Sequence, residues 1–139
     1  MIETRLALTT VDQGVPWRDT QWPGISWHLL ASDSEGDSGA ASSKGSRPGS
    51  TVLIRMAPGC GYPTHLHLGL EDVLVLAGGY RDELGEYCSG AFVRYPAGSR
   101  HSPVALGDSA SPEGPSNPAC ILFASARGGI ELNPAPAES

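Results

Sequence analysis

No apolar run in this 139-residue chain approaches the roughly 20 residues that a membrane-spanning helix needs. Basic residues are scarce too. Nine Lys and Arg stand against fifteen Asp and Glu, for a net charge of -6. A surface built to bind phosphate needs the opposite balance, so nucleic acid and anionic lipid are poor partners for this chain. Met1-Ile2-Glu3-Thr4-Arg5 offers neither the basic start nor the apolar stretch of a secretory signal. A soluble cytoplasmic protein is the expectation. Cysteine is sparse and odd in number: Cys60, Cys88 and Cys120 are widely spaced and form no C-x-x-C pair. Free thiols in a reducing compartment follow, with Cys60, five positions before His65, as a candidate for a redox or metal-proximal role. No stretch carries an apolar helical period.

What the chain does have is turn residues. Glycine (18) and proline (12) make up about a fifth of it, against a usual share of roughly 12%. Short apolar or β-branched segments lie between them, at Gly24–Ala31, Thr51–Ala57, Thr64–Leu68, Asp72–Ala77, Ala91–Tyr95, His101–Leu106 and Ala119–Ala126. An alternating piece, Thr4–Thr10, precedes them, and a hairpin is expected around Asp82–Gly85 with Tyr80 and Tyr87 on its arms. Turn-punctuated short strands indicate an all-β sandwich or barrel in one domain, with a core from about 24 to 132. Residues 32–50 contain no large apolar side chain to offset the entropy of ordering, and read as a mobile insertion loop. The tail, 133–139, reads as loose.

Only four histidines are present, and three of them cluster with a glutamate: His65, His67, Glu71 and His101. Imidazole and carboxylate together bind divalent transition metals. Residues i and i+2 point about 200° apart on a helix, so His65 and His67 could not grip one ion there. On a strand they point the same way, about 6.6 Å apart. Gly69 allows a turn before Glu71, and a neighbouring strand then brings the carboxylate beside the imidazoles. Pro96-Ala97-Gly98 can return the chain so that His101 joins them. Four protein ligands leave one or two positions open on a five- or six-coordinate ion, as a working site requires. The remaining histidine, His28, reads as an ordinary strand residue.

The glycine and proline framework around these ligands resembles the two cupin motifs. The first, G-x5-H-x-H-x3-E-x6-G, is met by Gly59, His65, His67, Glu71 and Gly78. The second, G-x5-P-x-G-x2-H-x3-N, is met by Gly90, Pro96, Gly98 and His101, with Ala105 in place of the final asparagine. Val73–Pro103 and the earlier stretch Pro16–Leu30 are similar to the cupin domain of ChrR-type anti-sigma factors, whose relatives include acetylacetone-cleaving dioxygenases. The resemblance implies a double-stranded β-helix, the jelly-roll barrel, with His65, His67, Glu71 and His101 as metal ligands in its mouth. It also implies a homodimer. The N-terminal zinc domain that holds the sigma factor in ChrR-type proteins has no counterpart motif here, so a free-standing cupin is expected.

Two functions remain open at this level. One is a mononuclear metal-dependent dioxygenase acting on a small carbonyl or dicarbonyl compound. In that reading the four ligands are catalytic through the metal, and neutral imidazoles keep the site positive, favouring an enolate anion. Val73 and Val75 would line the interior by parity with Glu71. Arg55, Tyr62 and Arg94 are the candidates to orient the substrate. The other function is a non-enzymatic sensor, typically with zinc, that binds a small ligand or reports stress in an anti-sigma-like role. Fe2+ and Zn2+ are the leading metals, with Mn2+ and Ni2+ as alternatives; the ligand set alone does not separate them.

Overall fold

The computed structural model describes residues 14–32 and 49–132. The expected piece Thr4–Thr10, positions 33–48 of the expected insertion loop and the tail 133–139 lie outside the described residues. Twelve strands, and no helix, are found among the described residues. In chain order they are β1 (Arg18–Asp19), β2 (Ile25–Ser32), β3 (Ser50–Met56), β4 (His65–His67), β5 (Glu71–Ala77), β6 (Gly79–Asp82), β7 (Gly85–Cys88), β8 (Phe92–Tyr95), β9 (Arg100–His101), β10 (Val104–Ala105), β11 (Cys120–Ala126) and β12 (Ile130–Leu132). They form a six-stranded sheet in the order β1-β2-β3-β11-β5-β8 and two three-stranded sheets, β10-β6-β7 and β12-β4-β9, with every pairing antiparallel. This is the all-β double-stranded helix that the cupin resemblance implies. No helix of the described residues is long and apolar enough to cross a membrane.

The late strand β11 is the keystone of the large sheet. It inserts between β3 and β5, which are close in sequence to each other and far from it. Its inward residues Leu122 and Ala124 lie level with Val75 and Val73 of β5, and all four are buried. Each large apolar side chain withdrawn this way stabilises the fold by about 1.5–3 kcal/mol. Phe123 and Leu74, one step out of phase, face outward and stay partly exposed. The register of β5 against β11 slips after Val75, where Leu76 is an extra residue. Glu71, Val73 and Val75 therefore keep one face, and the irregularity begins only beyond them.

Two segments depart from the strand pattern expected of the sequence. The stretch His101–Leu106 is two strands, because Ser102-Pro103 breaks it: β9 pairs with β4, while β10 pairs with β6 in a different sheet. Proline has no N–H to give to a ladder, so the change of sheet falls there. The short strands β1 and β12 lie in stretches whose turn-rich sequence gave no strand signal. The hairpin around residues 82–85 is present, with Tyr80 opposite Tyr87.

Candidate metal centre

The H-x-H pair lies on β4, with its two side chains on the same face and Leu66 on the other. β4 is the middle strand of its sheet. Its neighbour β9 places His101 directly opposite His65 in register. Glu71 arrives differently from the expectation of a strand beside the imidazoles. It opens β5, which belongs to the six-stranded sheet, and so reaches the histidines across the barrel. One ligand atom from each of the four buried residues lies within 4.8 Å of every other. Two nitrogens at right angles around one ion, each about 2.1 Å from it, stand about 3 Å apart. The Nε2 atoms of His65 and His101 are 3.0 Å apart. His67 Nε2 lies 3.5 Å from Glu71 Oε1.

The other nitrogen of each ring is already engaged. His65 Nδ1–H donates to the Pro63 carbonyl at 3.0 Å. His67 Nδ1 is 3.0 Å from the Ser99 hydroxyl, whose own hydrogen goes to the Pro96 carbonyl, so the imidazole donates. His101 Nδ1–H donates to the Asp82 carboxylate at 2.9 Å. Every Nε2 lone pair is thereby turned toward one point, the second-sphere arrangement that prepares histidine for a metal. His67 Nε2 is buried with no hydrogen-bond partner among the described residues. A buried polar atom left so is costly unless something occupies it. The donor set, its separations and this orphan nitrogen all fit a first-row divalent metal.

Burial also keeps the His65 and His101 rings neutral. It holds His65 down to about 4, outweighing the opposing bond to Pro63, and it lowers His101 as well, against the pull of Asp82. Histidines with folded values below their unfolded ones make the unfolded chain the better proton acceptor. The metal-free protein should hold its full stability above about pH 6.5, the ordinary histidine value, and lose it progressively as the pH falls toward about 4. Thermal unfolding of chelator-treated protein across that range checks this, and a midpoint flat from pH 7 to 4 would contradict it.

A cavity of about 330 Å³ opens beside the ligands, a size suited to a small molecule. Val52, Ile54, Met56, Leu122 and Ala124 of the large sheet form one wall, and His65, His101 and Ile130 contribute from the opposite sheet. Of the three proposed substrate residues, only Tyr62 lies on this wall. Its ring meets His65 edge-on at 5.3 Å and tilts against Trp22 at 5.0 Å. Burial, and then the charge of Glu71, raise its phenol above the ordinary value. Arg55 alternates with the inward Ile54 and Met56, and pairs with Glu113 outside the cavity. Arg94 is opposite Asp72 and forms two hydrogen bonds with it at 2.7 and 3.1 Å on the exposed face. Strand parity carries both arginines away from the site. Val73 lines the cavity, and Val75 is buried in the core beyond it. His28 lies level with Leu53, half-buried and apart from the cluster. Cys60 is half-buried and outside the ligand quartet, while burial raises the Cys120 thiol to about 12.

The residues that sequence reading passed over are those that orient the candidate ligands. Ser99 belongs to the P-x-G-x2-H motif but looks like turn filler, and Asp82 looks like a hairpin residue. Tyr95 stacks on His67 at 4.9 Å and 25° and gives its hydroxyl hydrogen to Asp82 at 2.7 Å.

The family model of the ChrR Cupin-like domain matches residues 6–111. The chain belongs to that family. No curated protein matches this ChrR-like cupin. Among solved structures, it is similar to the complex of Rhodobacter sphaeroides SigE with the anti-sigma ChrR, at 25% identity and TM-score 0.59. That match takes in 82% of the present chain but only 50% of the other. An acetylacetone dioxygenase from Acinetobacter johnsonii matches at 13% identity and TM-score 0.62, over 95% of this chain and 80% of that one. The polyketide cyclase RemF from Streptomyces resistomycificus matches at 17% identity and TM-score 0.62, over 97% and 88%. The last two likenesses establish that the ChrR-like cupin shares their fold.

Proposed function

We propose that this ChrR-like cupin binds one divalent metal through His65, His67, Glu71 and His101 and acts as a dioxygenase on a small carbonyl or dicarbonyl compound. The observation that carries the reading is the convergence of three imidazoles and one carboxylate, of which His65, His101 and Glu71 line an apolar cavity. Bound there, Fe2+ would supply Lewis-acid capture of the substrate's oxygen atoms and reactivity toward O2. The rest falls to the protein. Neutral imidazoles hold the ion, the aliphatic wall excludes water and packs the substrate's carbon skeleton, and the Tyr62 phenol beside His65 is placed to hydrogen-bond a substrate oxygen. Likeness to a dioxygenase of the same fold supports the reading.

A second reading has its own support in the family match and in the anti-sigma ChrR likeness. In it the same centre holds zinc and senses a small ligand for a regulatory partner. Zinc has no redox chemistry, so the metal separates the two. By family resemblance we also take the protein to be a homodimer, and we place it in the cytoplasm, as expected from the sequence.

The test is elemental analysis of untagged protein, then oxygen-electrode assays after Fe2+ loading with a panel of β-diketones. Stoichiometric metal, with diketone-dependent O2 uptake that the zinc-loaded form lacks, is the expected result. Tight zinc with no uptake across the panel would overturn the enzyme reading and leave the sensor.

A further inference from the structure

Behind His101, on the side away from the ligand point, lies a second buried carboxylate. Asp82 ends β6, and its side chain is fully shielded from solvent. It does not belong to the ligand quartet. Its Oδ2 accepts from Tyr95 Oη–H at 2.7 Å and from His101 Nδ1–H at 2.9 Å. Its Oδ1 accepts from the Leu84 amide at 2.9 Å and from the Tyr87 hydroxyl at 3.4 Å. Tyr95 spends its only hydrogen on Asp82, so the Tyr80 hydroxyl, 2.6 Å away, donates to Tyr95. Every polar hydrogen in this group points at or toward Asp82. A carboxyl that only accepts is a carboxylate.

This carboxylate has two consequences. It locks the tautomer of His101, because an Nδ1–H bound to Asp82 leaves the lone pair on Nε2. It also alters the charge of the centre. Three neutral imidazoles contribute nothing, while Glu71 and Asp82 each contribute -1, and together they balance a divalent ion. The expectation of a positive site, drawn from the ligands alone, counts only half of the negative charge. In an apolar cavity an incoming anion would leave one uncompensated charge, which a low-dielectric surrounding penalises. A neutral molecule would leave none.

We propose that Asp82 is a positioning residue that fixes His101 for the metal and balances the centre's charge, so that its open coordination positions favour neutral oxygen ligands over anions. This rests on the metal-binding reading above, and under it a diketone enters as the neutral molecule.

The test uses the full chain loaded with Co2+, whose visible absorption reports both occupancy and ligand exchange, and azide as the anionic probe. Asp82→Asn keeps the shape and an acceptor for His101 Nδ1–H but removes the charge. It should weaken Co2+ binding by about 10- to 100-fold and tighten azide binding by roughly tenfold, the opposite direction. A merely structural defect would not tighten azide. Asp108→Asn removes an exposed carboxylate far from the centre instead, and its azide affinity should stay within about twofold of wild type. Equal azide affinity in Asp82→Asn and wild type would overturn the proposal. Nitrogen-15 NMR of the metal-free wild type gives a check that needs no variant. His101 should carry its proton on Nδ1, and a proton on Nε2 alone would overturn the positioning role. Wild-type protein that takes up no Co2+ would overturn the metal reading and this inference with it, whereas normal uptake with unaltered variants would overturn this inference alone.

Discussion

His67→Ala is expected to lose its metal. His67 is the most deeply buried of the four candidate ligands, at 1% exposure. Its Nε2 has no other partner among the described residues. Its ring is fixed on both sides, by Ser99 at Nδ1 and by the stacked Tyr95. Loss of an outer-sphere partner alone typically costs 10- to 100-fold in metal affinity, so loss of this ligand should exceed about 100-fold. The effect on the metal-free fold should be smaller, because two terms oppose one another. Truncating a buried ring leaves a void worth about 3 kcal/mol, while removing an unsatisfied nitrogen returns about 1–3 kcal/mol. Elemental analysis and thermal shift separate these terms. Added metal should raise the melting temperature of the wild type, through selective binding to the folded state, and should leave that of His67→Ala unmoved. A variant with full occupancy would place the metal elsewhere.

Gly69→Ala should damage the fold itself. Gly69 is in the turn between β4 and β5, midway from His67 to Glu71. A Cβ added there would lie 1.9 Å from the Arg127 carbonyl oxygen and 2.7 Å from its carbon. That obstacle is backbone rather than a movable side chain. It belongs to the turn leading from β11 to β12, which is tied to this one by the Arg127 N–H to Leu70 carbonyl bond at 2.9 Å. One of the two turns must give way. Overpacking of this kind costs about 1–3 kcal/mol and more where backbone must move, which for a domain of this size lowers the melting temperature by roughly 5–10 °C. Because the displaced turn connects two ligands, metal affinity should fall too. Calorimetry of the metal-free variant isolates the first effect, and a melting temperature equal to wild type would show that the turns are not held together as described.

The clustering of the four candidate ligands was legible in the sequence because their spacing is a local property. His65 and His67 share a face only on a strand, and Gly78 marks the end of β5 for a reason visible in the structure. It has φ of +63°, and a side chain there would meet the Ala119 carbonyl. Asp82 was not legible. Nothing local distinguishes it from a turn residue, and it meets His101 only because β6, β8 and β9, from different sheets, converge at Tyr95. The arginines failed for a related reason. Arg55 and Arg94 are suitable chemistry at unsuitable parity, and parity is known only once β3 is aligned with β11 and β5 with β8. Residues 101–106 show the same limit: Pro103 marks a break, but only the partners reveal that its two sides pair in different sheets.

The division of the ligands between sheets bears on how anything enters or leaves. Three imidazoles stand on the β12-β4-β9 sheet and the carboxylate on the large one. An ion held by all four is a rivet through both layers. With it in place the barrel cannot gape along that seam without tearing a coordination bond. Stripping the ion would then do more than empty the site: it would free the two layers to part along that seam.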